Sequence, residues 1–181
     1  MNDTPDKPAR SLGRKTIRPT RKPRELMDPT PELKGVWKAQ VITLFPGAFP
    51  GVLGESLTGK ALKDGLWQLE TVDLRPFGKG KHRNVDDTPA GGGAGLVLRP
   101  DVLGDAIDNA RTRMPDTAPL IYLSPRGEPM TQSLMRDLAR ADGATLICGR
   151  FEGVDERVLE HYRIREVSLG DFVMTGGEIA A

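Results

Sequence analysis

The sequence is poor in cysteine and contains no long apolar run, and each shortage excludes a class of protein. Cys148 is the only cysteine among 181 residues, so the chain can form neither an internal disulfide nor a cysteine-rich zinc site. No stretch approaches the roughly 20 apolar residues that a membrane helix needs. Charges occupy the first residues, where a secretory leader would be apolar. These absences predict a cytoplasmic protein without a membrane segment.

Several nucleotide-binding and catalytic motifs are also missing. No G-x-G-x-x-G pattern follows the first predicted strand and no G-x-x-x-x-G-K-[ST] pattern occurs, so neither a dinucleotide-binding Rossmann site nor a P-loop is indicated. The sequence has no G-x-S-x-G motif, which excludes a nucleophilic serine of that hydrolase type. A nucleotide-like ligand must therefore be held in another way.

The positive charge of the chain is concentrated near its beginning. Residues 1–25 contain eight Lys or Arg against three Asp or Glu, whereas the remainder is slightly acidic. This part also has four prolines and few large apolar side chains, which bury too little surface to offset the entropy of ordering. We therefore predict a disordered basic tail over residues 1–34. Such a tail is either an arm that attracts RNA or only a solvated extension.

From residue 36 onward, short apolar runs alternate with stretches of helical periodicity. Asp101 is predicted to cap a helix, and residues 75–98 are predicted to form a long glycine-rich loop. The alternation is typical of an α/β fold with an open parallel sheet and helices on both faces. The predicted strands lie at 36–45, 66–74, 119–124, 144–148 and 164–169, and the predicted helices lie within 46–65 and at about 102–113, 131–141 and 154–161.

Three predicted turns at the carboxyl ends of strands carry glycines and unusual side chains. They cover residues 123–127, 149–157 and 169–178, and open parallel sheets bind ligands beyond these strand ends. The third turn is too apolar for an ordinary exposed loop, because it contains Leu169, Phe172, Val173 and Met174. Together the turns predict a partly apolar, backbone-lined pocket for an adenine and its ribose. The alternative is that each glycine only reverses the chain.

The loop over residues 78–95 is basic in its first half and glycine-rich in its second. The basic half suits phosphate and the glycine half suits a flat base, or the loop is a solvated, charge-balanced connection. His82, Asp86 and Asp87 supply too few converging ligands for a metal, so no metal site is predicted. Cys148 and His161 are interpreted as structural, the first in a buried strand and the second at a helix end.

Five motifs resemble, in order and spacing, the bacterial tRNA (guanine-N1)-methyltransferase family of SPOUT-type enzymes. They occupy residues 42–46, 82–95, 122–127, 148–157 and 170–178, so the resemblance extends from about residue 36 to Ala181. It implies that residues 35–177 form an α/β domain with a deep C-terminal trefoil knot that binds S-adenosyl-L-methionine. It also implies a cytoplasmic homodimer, with active sites at the subunit interface, that methylates N1 of the guanine 3′ to the anticodon of tRNA.

The resemblance also assigns roles to individual residues. Glu152 would face the guanine or an associated Mg²⁺. The guanine side of the site would be formed by His82, Arg83, Asp86, Gly91, Gly92 and Gly93. The cofactor would be held by Tyr122, Leu123, Ser124, Pro125, Gly149, Leu169, Gly170, Asp171, Phe172, Val173, Met174, Gly176 and Gly177.

In this family a helical C-terminal domain supplies the catalytic Asp and an assisting Arg. The sequence stops at Ala181, and residues 178–181 are interpreted as the start of a truncated linker to that domain. The general base is therefore expected to be absent from this chain. The alternative function is a catalytically incomplete module that binds S-adenosylmethionine or RNA. A knotted enzyme that methylates ribose is a third interpretation, which the 82–95 loop disfavours.

Overall fold

The computed structural model describes residues 35–181, and the predicted basic tail over residues 1–34 lies outside them. Seven strands were found: β1 (Trp37–Thr43), β2 (Trp67–Asp73), β3 (Asp86–Asp87), β4 (Val97–Leu98), β5 (Leu120–Pro129), β6 (Gly143–Cys148) and β7 (Arg165–Ser168). The α-helices are α1 (Ser56–Lys63), α2 (Pro100–Arg111), α3 (Gln132–Leu138) and α4 (Glu156–Tyr162). None of these helices is long and apolar enough to cross a membrane.

Five of the strands form one parallel sheet in the order β2-β1-β6-β5-β7. The predicted α/β class with a parallel sheet is therefore confirmed. The three central strands, β1, β6 and β5, are the most buried ones, as expected for strands covered on both faces. Because all five strands run the same way, their carboxyl ends meet at one edge of the sheet.

Helices α2 and α4 pack on one face of the sheet. Leu103 and Ile107 of α2 lie one helical turn apart and are fully buried in a cluster with Ile42 and Ile147 of the sheet. The prediction that Asp101 caps this helix is wrong. The helix begins at Pro100 and its N-cap is Arg99, because proline suits the first helical position, where no amide is needed. Asp101 lies in the first turn and pairs with Arg99.

Helix α3 covers part of the opposite face. Its N-cap is Thr131, whose side chain accepts a hydrogen bond from Leu134 N at 3.2 Å. Leu134 is buried against Ile121, Leu123 and Ala144 in a second core cluster. Helices therefore lie on both faces of the sheet, as the sequence predicts.

An irregularity in β5 shapes the edge of the sheet where a ligand is expected. Val167 of β7 pairs with Leu123 and again with Glu128, so the residues between them bulge away from the ladder. Gly127 lies in this bulge, and a Cβ there would overlap the Val167 backbone. Residues 123–127, which the sequence predicts to be a turn after a strand, therefore form a bulge within β5, and Ser124 and Pro125 lie in it.

The segment 75–98 is not the uniform loop that the sequence predicts. It contains a short 3₁₀ turn at Arg75–Phe77 and an antiparallel pair in which Asp86 lies opposite Leu98. Leu98 is buried in the main core and its amide donates to Gly153 O at 3.0 Å. The segment is therefore attached at both ends to the carboxyl edge of the sheet.

Candidate functional site at the carboxyl edge of the sheet

A small cavity lies between the bulge in β5 and the turn after β7. Its volume is about 40 Å³. It is lined by Leu123, Ser124, Pro125, Val167, Ser168, Leu169, Gly170, Phe172, Met174, Gly176 and Ala180. Two of the three turns selected from the sequence thus face each other across one cavity.

The cavity wall combines hydroxyl groups, main chain and apolar side chains. Ser124 and Ser168 are both buried. Ser168 Oγ donates to Gly170 O at 2.9 Å and accepts from Gly170 N at 3.2 Å, which fixes the start of the turn after β7. A Cβ on Gly170 would lie 2.7 Å from the Phe172 ring. Only glycine lets this ring fold back onto its own turn.

The turn after β6 contacts the segment that follows β7 and the Tyr122 ring of β5, and it does not line the cavity. Gly177 N donates to Gly149 O at 3.1 Å. A Cβ on Gly177 would lie 2.6 Å from Cys148 Cα, and one on Gly149 would lie 2.6 Å from the Tyr122 ring. These glycines therefore allow two chain segments and one aromatic ring to pack closely beside the cavity.

The predicted cofactor residues divide into two groups. The structure brings Leu123, Ser124, Pro125, Leu169, Gly170, Phe172, Met174 and Gly176 to the cavity wall, and it leaves Tyr122, Gly149, Asp171, Val173 and Gly177 outside it. Tyr122 is buried. Burial raises the pKa of its hydroxyl, and the negative charge of Glu166 adds a smaller rise. Val173 is 83% exposed. The sequence prediction misses Val167, Ser168 and Ala180, which also line the cavity, although the end of a predicted strand is a signal that could have found the first two.

Glu152 lies against the glycine-rich loop, as its predicted role requires. Its backbone amide donates to Leu96 O at 2.8 Å, and a Cβ on Gly95 would lie 2.5 Å from Glu152 Cγ. The side chain is exposed, so its carboxylate is available to a ligand. The preceding residue, Phe151, has a left-handed backbone with φ of 60°, which marks a tightly constrained turn.

The remaining residues predicted for the guanine side are exposed or half-buried. His82 and Arg83 lie in a turn that is closed by hydrogen bonds between Lys79 and Asn84. Asp86 is half-buried in β3. An added Cβ at Gly91, Gly92 or Gly93 would have no other atom within 4 Å, so this part of the loop leaves open space. Within residues 35–181, no three His, Cys, Asp or Glu side chains form a cluster that could hold a metal.

Cys148 is a buried strand residue, as predicted. Burial raises the pKa of its thiol to about 12, and the nearby Glu178 adds to the rise. Because the thiolate is the reactive form, Cys148 is chemically inert at neutral pH. His161 is exposed in the last turn of α4 and its ring meets the Tyr162 ring edge to face.

Comparison with known proteins places the chain in a family. Residues 37–181 match the family described as "tRNA (Guanine-1)-methyltransferase TrmD". A tRNA (guanine-N(1)-)-methyltransferase of Ruegeria pomeroyi is 78% identical over 155 residues, which cover 86% of this chain and 64% of the relative. Relatives of the same name are 76% identical in a second Ruegeria species, over 86% of this chain and 64% of the relative, and 69% identical in Roseobacter denitrificans, over 83% and 62%.

The chain spans slightly less than two thirds of the length of these curated relatives. The matched region contains every element of the sheet and all the cavity residues. The chain therefore belongs to the tRNA (guanine-N1)-methyltransferase family.

Proposed function

We propose that this protein is a tRNA (guanine-N1)-methyltransferase that transfers a methyl group from S-adenosyl-L-methionine to N1 of the guanine 3′ to the anticodon. The observation that carries the proposal is the cavity between the bulge in β5 and the turn after β7, within a chain of this family. Relatives that bear this name share up to 78% of the aligned residues.

The cavity residues fit the adenosine part of S-adenosylmethionine. The cavity itself is small, about 40 Å³ against the about 300–1,000 Å³ of small-molecule pockets, so the exposed turn after β7 would have to move outward to admit an adenosine. Leu123, Phe172 and Met174 offer apolar surface to a base, and Gly170 and Gly176 contribute to the cavity wall without side chains of their own. Buried Ser124 and Ser168 supply hydroxyl groups suited to a ribose.

The reaction requires alignment of the methyl donor with the guanine and a group that accepts the N1 proton. When bound, S-adenosylmethionine supplies the methyl group from its sulfonium. Residues at the cavity wall would orient the donor, and the open loop at Gly91, Gly92 and Gly93 would admit the base. Glu152, exposed beside this loop, would contact the guanine. Mg²⁺ remains a candidate partner of Glu152, but one carboxylate is too few for a metal site and we assign no step to the ion.

The environment of the cavity supports a homodimer with the active site at the subunit interface. Leu169, Phe172 and Val173 are between 42% and 83% exposed. Apolar side chains grouped at one edge of a chain favour coverage by a second surface, and we propose that a second copy of this chain provides it. The close return of Gly177 to Cys148 supports a trefoil knot at this edge. Since its substrate would be tRNA, we assign the enzyme to the cytoplasm.

Binding and methylation by purified protein test the proposal in two steps. The 181-residue chain should bind S-adenosylmethionine in calorimetry. Transcript tRNA should then be methylated by the chain extended with the residues that follow the matched region in the Ruegeria pomeroyi relative. Mass spectrometry of the nucleosides should find the methyl on guanine N1 and not on the ribose. Failure to bind S-adenosylmethionine, or a methyl on ribose, would contradict the proposed function.

A further inference from the structure

An ion pair with a buried carboxylate joins three segments at the carboxyl edge of the sheet. Arg150 Nη2, in the turn after β6, lies 2.8 Å from Glu178 Oε2. The Glu178 side chain is 5% exposed and that of Arg150 is 27% exposed. Glu178 Oε1 also accepts a hydrogen bond of 2.7 Å from Thr43 Oγ1 at the end of β1, and Thr43 is fully buried. The pair thus links the ends of β1 and β6 to the segment that follows the cavity turn.

Further contacts hold the Arg150 guanidinium in one orientation. Nη1 donates to Thr175 O at 3.1 Å, and Cζ lies 4.5 Å from the centroid of the Phe45 ring, within the range of a cation–π contact. Phe45 is itself fixed, because its amide donates to Thr43 Oγ1 at 2.9 Å. A planar group held by one hydrogen bond, an ion pair and a ring cannot be replaced by a point charge without loss of geometry.

The pair touches both parts of the proposed active site. Gly176 lines the cavity, and a Cβ at this position would lie 2.5 Å from Arg150 Cζ and 2.7 Å from Glu178 Oε2. On the other side, Arg150 O accepts from Gly153 N at 3.2 Å, which closes the turn that carries Glu152. One ion pair therefore contacts the wall of the cofactor cavity and the base of the turn that faces the glycine-rich loop.

We propose that Arg150 and Glu178 are positioning residues that fix the cavity wall at Gly176 and the Glu152 turn in a single mutual arrangement. This inference rests on the proposed function. Neither side chain lines the cavity, so the pair acts through the main chain that it holds. Because both groups are largely shielded from water, the pair keeps its geometry more firmly than an exposed salt bridge does.

Calorimetric affinity for S-adenosylmethionine, measured well below the unfolding temperature of each variant, tests the inference. Glu178→Gln removes the charge at constant shape, and Arg150→Met removes the guanidinium. Each should weaken binding by about 10-fold, the size expected for partners that orient a binding group. Arg150→Lys should recover part of the lost affinity, because it restores the charge but not the planar contacts. Asp137→Asn is the matched control, since Asp137 forms an exposed ion pair with Arg140 on α3 and should bind like the wild type.

The single variants leave one buried charge without its partner, which threatens the fold. The double variant Arg150→Met/Glu178→Leu removes both charges and should fold while still binding weakly. The fold-decrease in affinity of the double variant should be smaller than the product of the fold-decreases of the two single variants, because the two residues act as a unit. Affinity within about twofold of the wild type in folded Glu178→Gln or in the double variant would overturn the inference. Absence of binding by the wild type would instead overturn the proposed function, and the inference with it.

Discussion

Gly170 shows how one residue controls the volume of the cavity. An Ala at this position would bring a Cβ to 2.7 Å from the Phe172 ring, and the ring would have to move within the cavity that it lines. Because Phe172 is half exposed, the ring can shift at little cost to the fold. We expect Gly170→Ala to weaken S-adenosylmethionine binding by about 10-fold, or about 1.4 kcal/mol, with the unfolding temperature nearly unchanged.

Gly47→Ala is a suitable control for this substitution, because a Cβ there has no atom within 4 Å. It should bind like the wild type in the same calorimetric titration. Equal affinity in Gly170→Ala and Gly47→Ala would show that Phe172 does not contribute to the ligand site.

Cys148 lowers the stability of the fold at alkaline pH. Its thiol has a folded pKa of about 12 against an ordinary value of 9.0, mainly because of burial. Above pH 9 the unfolded chain therefore loses this proton while the folded chain keeps it, so stability falls as pH rises towards 12. The loss should be about 1.4 kcal/mol by pH 10. Urea unfolding at pH 8 and pH 10 measures it, and in Cys148→Ala this contribution should disappear; an equal loss in that variant would contradict the assignment.

At the scale of single residues, the sequence predicts which segments reach the cavity. It predicts less well which atoms each glycine allows to approach. Ser124, Pro125 and Gly170 reach the cavity as predicted. Gly149 and Gly177 are predicted to make room for a ligand, but in the structure they make room for Tyr122 and for Cys148. Contacts between segments distant in the chain leave no local signature, so glycine alone does not show what approaches it. For the same reason no sequence pattern predicts the Arg150–Glu178 pair.

The elements of the fold follow from local patterns more closely than their ends do. All five strands of the main sheet and the helices α2, α3 and α4 lie where periodicity predicts them. The predicted start of α2 is misplaced because two neighbouring residues both favour a helix start: Asp as an N-cap and Pro as the first helical residue. The sequence alone does not show whether Asp101 or Pro100 sets the start. Strands β3 and β4 have two residues each, which is too short for any alternation to be detected.

Helix α3 depends on its N-cap more than the longer α2 does. Its seven residues make about two helical turns, and a helix of this length is not stable by itself in water. The Thr131 hydroxyl accepts a hydrogen bond from the Leu134 amide, which would otherwise have no partner within the helix. Thr131→Ala should lower the free energy of unfolding by about 1 kcal/mol, as measured by urea unfolding. Thr117→Ala, at an exposed residue with one long side-chain contact of 3.4 Å, should change it by less than about 0.5 kcal/mol. Equal effects of the two substitutions would contradict the capping role.

For the molecule as a whole, the sequence predicts the fold class and the edge of the sheet at which the cavity lies. Local patterns do not predict the strand order β2-β1-β6-β5-β7, because pairing between strands far apart in the chain is set by packing of the whole sheet. That order makes β5 the common neighbour of β6 and β7. The bulge in β5 and the turn after β7 consequently face each other across one cavity, and the turn after β6 packs beside it.

A crystal structure of the chain grown with S-adenosylmethionine would examine this convergence directly. The adenosine should lie between Ser124 in the bulge of β5 and Gly170 on the turn after β7, with Gly176 at its side. Binding at any other surface, with these two segments unchanged and empty, would contradict the proposed site.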